Sequence, residues 1–144
     1  MQNLFELCEE VGIKLRRLSK KARTVGFYLS GDMSFHGRKT YKEYFDTGSE
    51  MFGHLINLAD VNKMKYVRRI GIWASGLEDR ENVQQSLFDS AKKNSLQETI
   101  DEINDRFGDH TIRNGFLLYA DKLTTVANGY MADRFERSKI ATRL

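Results

Sequence analysis

The chain contains no proline, and only one of its 144 residues, Cys8, is a cysteine. A single thiol cannot build an internal disulfide framework and suits a reducing, cytoplasmic compartment. Cys8 falls on the apolar face of a helical pattern, so a buried thiol is expected there rather than a nucleophile. No apolar run reaches the roughly 18 residues of a membrane-spanning helix, and Met1-Gln2-Asn3 leads into an amphipathic segment, not a signal peptide. No membrane partner is expected. The histidines His36, His54 and His110 lack metal-ligand spacing and have no cysteine companion. A glycine-rich phosphate loop and a nucleophile elbow are both missing. Acids such as Asp101, Glu102 and Asp105 lie on the polar face of a helical pattern and read as solvating charges. Without a catalytic constellation, the chain alone is not expected to be an enzyme.

What is present is an uneven distribution of charge. The formal net charge is only +3. Yet from Lys14 to Lys42 nine bases face the single acid Asp32, and from Glu78 to Asp109 nine acids face four bases. Such asymmetry points to a polyanion on one side and a solvated acidic region elsewhere; the plain alternative is that Lys and Arg simply cover a helix.

The organising stretch is Tyr66 to Leu77. Ile70, Ile72 and Ala74 alternate on one face of an extended segment, with Arg69, Gly71, Trp73 and Ser75 on the other. One face can sit on a core, while the other offers a cation, bare backbone and an aromatic. Upstream, Leu4, Leu7, Cys8, Val11, Leu15 and Leu18 predict a helix from about residue 3 to 21, with a basic C-terminal turn open to partners. Arg23–Gly31 and Arg38–Phe45 predict a hairpin around a loop from Gly31 to Gly37, with Val25, Phe27 and Leu29 inward and His36 a solvated loop histidine. Arg38 and Lys42 flank Thr40, a phosphate-friendly arrangement beside Ser30. Asp46 to Ser49 caps a second helix to about residue 61, in which His54 packs half-buried.

The segment from Glu78 to Asn94 is polar apart from Leu87 and Phe88. Ser95-Leu96-Gln97-Glu98 reads as a capping box opening a third helix, with Leu96, Ile100, Ile103 and Phe107 as its packing stripe and Gly108 as its stop. The expected fold is α+β, a small antiparallel-rich sheet with two helices on one face and a helical C-terminal extension. The expected division is a core at 1–77, a linker at 78–94 and the extension at 95–144. No strand precedes the first helix, so the chain is expected to begin inside a larger natural domain.

Val83-Gln84-Gln85-Ser86-Leu87-Phe88-Asp89 resembles the bacterial sliding-clamp-binding peptide, in which Leu and Phe fill an apolar pocket and Gln gives a directional hydrogen bond. Gln84, Ser86, Leu87 and Phe88 carry that likeness, while Gln85 stands where many such motifs have Leu. The alternative is that Leu87 and Phe88 tuck onto the chain's own core. Taken in order, Glu6 to Gly12, Arg23-Thr24-Val25, Arg38-Lys39-Thr40, Val67 to Ile72, the clamp-like motif and Ile103 to Gly108 resemble the C-terminal part of Y-family translesion DNA polymerases, the ImpB/MucB/SamB group. The likeness covers about residues 3 to 115.

The resemblance implies a little finger domain that lies along primer–template duplex DNA and holds it through phosphates. Arg68, Arg69, Arg38, Lys39, Thr40 and Lys42 would contact DNA, with Trp73 on the same face and backbone amides near Gly71 and Ser30. It further implies that the catalytic carboxylates and their Mg ions belong to a palm this chain lacks, so no cofactor is expected here. The family's first strand is missing, leaving an open edge expected to pair with the tail or a second copy. Two other readings compete: a stand-alone module stacking single strands on Tyr28 and Trp73, and an adaptor that binds the clamp but no DNA.

Overall fold

The computed structural model describes residues 1–58, 65–83, 91–108 and 111–118. Helix α1 (Gln2–Arg17) buries Leu4, Cys8 and Leu15 along its apolar stripe. It ends four residues earlier than its periodicity predicts. Leu18 is in phase with the stripe but 51% exposed, and Ser19 turns the chain at φ 51°, outside the helical region. Lys20 and Lys21 therefore open strand β1 (Lys20–Gly31) instead of closing a helix.

Strand β2 (Ser34–Phe45) returns antiparallel to β1 around a tight turn at Asp32-Met33. Gly31 donates to the Met33 carbonyl at 2.9 Å, and the Asp32 carboxylate accepts from Met33 N. The loop expected from Gly31 to Gly37 is thus mostly strand, because ladder pairing outweighs the weak strand preference of Ser34 to Gly37. Helix α2 (Gly48–Leu58) opens on a reciprocal cap: Thr47 Oγ1 accepts from Glu50 N at 3.3 Å and donates to Glu50 Oε2 at 2.8 Å. α1 and α2 cross at two glycines. A Cβ on Gly12 would stand 2.6 Å from Gly48 N, so the residue that weakens α1 as a helix also permits the crossing.

Strand β3 (Val67–Ser75) pairs antiparallel with the other side of β1, and a short β4 (Glu78–Asp79) pairs with the start of β1. The order is β2-β1-β3, so β1 is central and β2 and β3 are the edges among the described residues. Val25, Phe27 and Leu29 of β1 are buried against Leu4, Cys8, Leu15, Met51 and Leu55, with Ile70, Ile72 and Ala74 packed alongside. Each fully buried side chain of this size contributes about 1.5–3 kcal/mol. The result is the α+β fold of a little finger domain, a four-stranded antiparallel sheet with α1 and α2 on one face.

Helix α3 (Ala91–Phe107) begins before the expected capping box, so Ser95 lies inside it and its carbonyl accepts from Thr99 Oγ1. Together with β4, it claims both ends of the stretch read as a linker. The ends of its expected stripe are exposed, Leu96 at 62% and Phe107 at 67%, while Ile100 and Ile103 in the middle are half-buried. α3 also docks through polar groups. Arg16, its side chain 6% exposed, donates Nη2 to Asp101 Oδ1 at 2.8 Å and Nε to Asp101 Oδ2, while its Nη1 donates to the Asp46 carbonyl at 2.8 Å. Arg17 reaches Asp105 at 2.8 Å, and Arg80 reaches Glu98 at 3.1 Å. Two of the acids read as solvating charges, Asp101 and Asp105, are thus partners of Arg16 and Arg17 at the basic end of α1. At that end Arg16 is buried in its ion pair, while Arg17 remains 38% exposed.

Candidate nucleic-acid interface

The sheet face turned away from α1 and α2 is built by the ladder register. Across β2, β1 and β3 the facing residues form four rows: Ser34, Ser30, Arg69; His36, Tyr28, Gly71; Arg38, Gly26, Trp73; Thr40, Thr24, Ser75. Two-residue alternation fixes this set, since each row neighbours a core row through Val25, Phe27 or Leu29. The twelve positions include two arginines and no carboxylate, so the face is positive although the whole chain is nearly balanced.

Trp73 and Arg38 sit on either side of Gly26. The indole lies down over that glycine, where a Cβ would stand 2.3 Å from Trp73 Cε2. Trp73 remains 41% and Tyr28 40% exposed, so both rings offer surface to a partner. Hydrogen bonds from Ser30 and Ser34 hold the Tyr28 hydroxyl below its ordinary pKa, and the charge of Arg69 acts in the same direction. Thr24 and Thr40 share a hydrogen bond at 2.8 Å between their hydroxyls.

The structure brings together Ser30, Arg38, Thr40, Arg69, Gly71 and Trp73 from the expected contact set. Lys39 is placed elsewhere: it pairs with core-facing Val25 and lies over the Tyr41 ring at 5.2 Å, on the helix side of the sheet. Strand alternation already separates it from Arg38 and Thr40. Lys42 falls in the irregular stretch between Thr40 and Phe45, which has no partner residue on β1. Arg68 is the extra residue of an irregularity in which Ser30 pairs with Arg69 but Gly31 pairs with Val67. Such a bulge re-aims side chains. Ser34, His36, Gly26, Thr24 and Ser75, outside the expected contact set, complete the face with Tyr28, which the sequence reading used only in the single-strand alternative. The signal for His36 and Ser34 was their period-two phase with Arg38. Gln84, Ser86, Leu87 and Phe88 lie outside the described residues.

On the helix side, His54 stacks on Tyr41 at 3.7 Å and meets the edge of Phe45. Burial pushes its pKa below 6.5, partly countered by Glu50 and Glu43. Burial, reinforced by Glu9, raises Cys8 to about 12, a protonated and unreactive thiol. Among the described residues no cluster of His, Cys, Asp or Glu could hold a metal ion, and no helix is long and apolar enough to cross a membrane.

A sequence model of the impB/mucB/samB family C-terminal domain matches residues 1–87. DNA polymerase IV of Alkaliphilus oremlandii (strain OhILAs) is 32% identical over 143 residues, covering 95% of this chain. The match spans 32% of that polymerase's length. The matched region holds the whole sheet and both helices behind it, and the chain belongs to the impB/mucB/samB family through this C-terminal domain.

Proposed function

We propose that this chain is the DNA-holding and clamp-tethering domain of a Y-family lesion-bypass DNA polymerase acting in cytoplasmic DNA damage tolerance. The observation that carries the reading is the outer sheet face, with Arg38 and Arg69, exposed hydroxyls and no carboxylate in its four rows. Phosphate contacts from such a face give affinity without reading bases, as a polymerase that copies any template requires. The face is presented on a sheet backed by a packed core, so it is held without any partner. Tethering rests on Gln84, Ser86, Leu87 and Phe88, a clamp-like peptide lying in sequence between β4 and α3.

Trp73 is the sole tryptophan and stands on the proposed face, so its fluorescence reports binding directly. Titration with primer–template duplex should quench it, and the Arg38→Ala/Arg69→Ala variant should bind at least about tenfold more weakly. Equal affinity in variant and parent would remove the face from the reading. The exposed rings of Trp73 and Tyr28 favour one second reading, stacking of single strands. A clear preference for single strands over duplex, lost in Trp73→Ala, would select it. Calorimetric titration into a bacterial sliding clamp, with Leu87→Ala/Phe88→Ala as control, tests the tether separately.

A further inference from the structure

The ladder that draws the expected loop into strand β2 also places His36 on the outer sheet face, paired with Tyr28. Ser34 and Arg38 flank it on the same side of β2, each roughly 7 Å along the strand. Tyr28 and Gly71 continue its row, and Ser30 and Gly26 stand on the diagonals. His36 is exposed, within reach of a partner lying along the face. The charged and titratable groups near it are not acids. Arg38 is its neighbour on β2, and Arg69 acts on the Tyr28 hydroxyl, which Ser30 and Ser34 also bond. The nearest acids in sequence are committed elsewhere. Asp32 accepts from Met33 N at 3.1 Å and Lys65 N at 3.3 Å in the turn, and Glu43 acts on His54 on the helix side.

Histidine is the side chain whose charge changes between about pH 5 and pH 8. A neutral imidazole gives a phosphate oxygen one ordinary hydrogen bond, whereas the protonated ring gives a charge-assisted one. No carboxylate in the four rows competes for that charge. Phosphates laid on the face therefore favour the protonated ring, and the DNA-bound chain holds more protons than the free chain. By linkage, affinity rises as the pH falls. We propose that His36 is a third, proton-dependent phosphate contact beside Arg38 and Arg69, so that the outer face grips duplex DNA more tightly under mildly acidic conditions. The inference rests on the DNA-holding reading above and adds to it one residue and one condition.

The test is titration of the full chain with primer–template duplex, followed by Trp73 fluorescence over a series of salt concentrations at about pH 7.5 and about pH 5.5. The parent should bind roughly three- to tenfold more tightly at the lower pH. Its slope of log K against log salt should also steepen there by about one, the mark of one more phosphate contact. Calorimetry in two buffers of different ionisation enthalpy should register proton uptake on binding. His36→Gln should show the same affinity and slope at both pH values. His36→Lys, a cation throughout, should show the steeper slope at both. His54→Phe and His110→Gln should keep the pH dependence of the parent. Duplex binding with equal affinity and slope at the two pH values overturns the proposal and leaves the DNA-holding reading standing. A pH dependence that survives in His36→Gln overturns it as well, by assigning the proton to another group. No duplex binding by the parent at either pH removes the DNA-holding reading and this inference with it.

Discussion

Gly26 and Trp73 form a cross-strand pair in which the larger residue depends on the smaller having no side chain. In Gly26→Ala the new methyl would occupy the indole's position. Trp73, being exposed, would yield before the backbone does. The expected cost is about 1–2 kcal/mol, at the lower end for overpacking. Because Trp73 is the sole tryptophan, a red-shifted emission with easier iodide quenching should report the displaced ring. An unchanged spectrum would mean that the indole does not rest on Gly26. His54 gives a second residue-level expectation. Its pKa is lowered by burial in the fold, so the unfolded chain takes up the proton more readily. Its contribution is complete above pH 6.5 and is lost as the pH falls through the folded value. Tm should therefore decline between pH 7 and pH 5, and His54→Phe, which keeps a ring against Tyr41, should flatten part of that decline.

At the scale of elements, α3 is held differently from α1 and α2. The two N-terminal helices sit on the sheet through Leu, Met and Cys side chains, whereas α3 is joined through Arg16–Asp101, Arg17–Asp105 and Arg80–Glu98. Of these, only the Arg16 side chain is deeply buried, and exposed ion pairs contribute little. Asp101→Asn would leave a buried guanidinium short of its counter-charge, at about 2–3 kcal/mol. The loss should be local. Amide hydrogen exchange in α3 should speed up roughly 30- to 100-fold, while amides of the central strand β1 keep their protection. Equal acceleration in both would show that α3 unfolds only with the whole domain.

For the whole molecule, the sorting of charge matters more than its total. A net charge of +3 by itself implies little attraction for DNA, but ion pairing at the end of α1 leaves the outer face as an acid-free surface. Binding through that face should weaken steeply with salt, and removing Arg38 and Arg69 together should lower the slope of log K against log salt by roughly two. An unchanged slope would place the phosphate contacts on other residues. Much of this architecture was legible in the residues themselves. Period-two alternation in β3 separates Ile70, Ile72 and Ala74 from Arg69, Gly71, Trp73 and Ser75, because strand geometry admits no other arrangement. The three-and-four spacing in α1 and the Thr47–Glu50 cap were equally local signals. The sequence by itself therefore determined which face of each strand is apolar and, to within two residues, where α2 begins. Only the tertiary structure decided the rest. Arg16 and Asp101 are 85 residues apart, so their pairing depends on how the chain closes on itself. The same holds for Gly26 beneath Trp73, for the bulge at Arg68, and for the ladder that drew Ser34 to Gly37 out of a loop. Register and long-range charge pairing are properties of elements once brought together, and no local pattern encodes them.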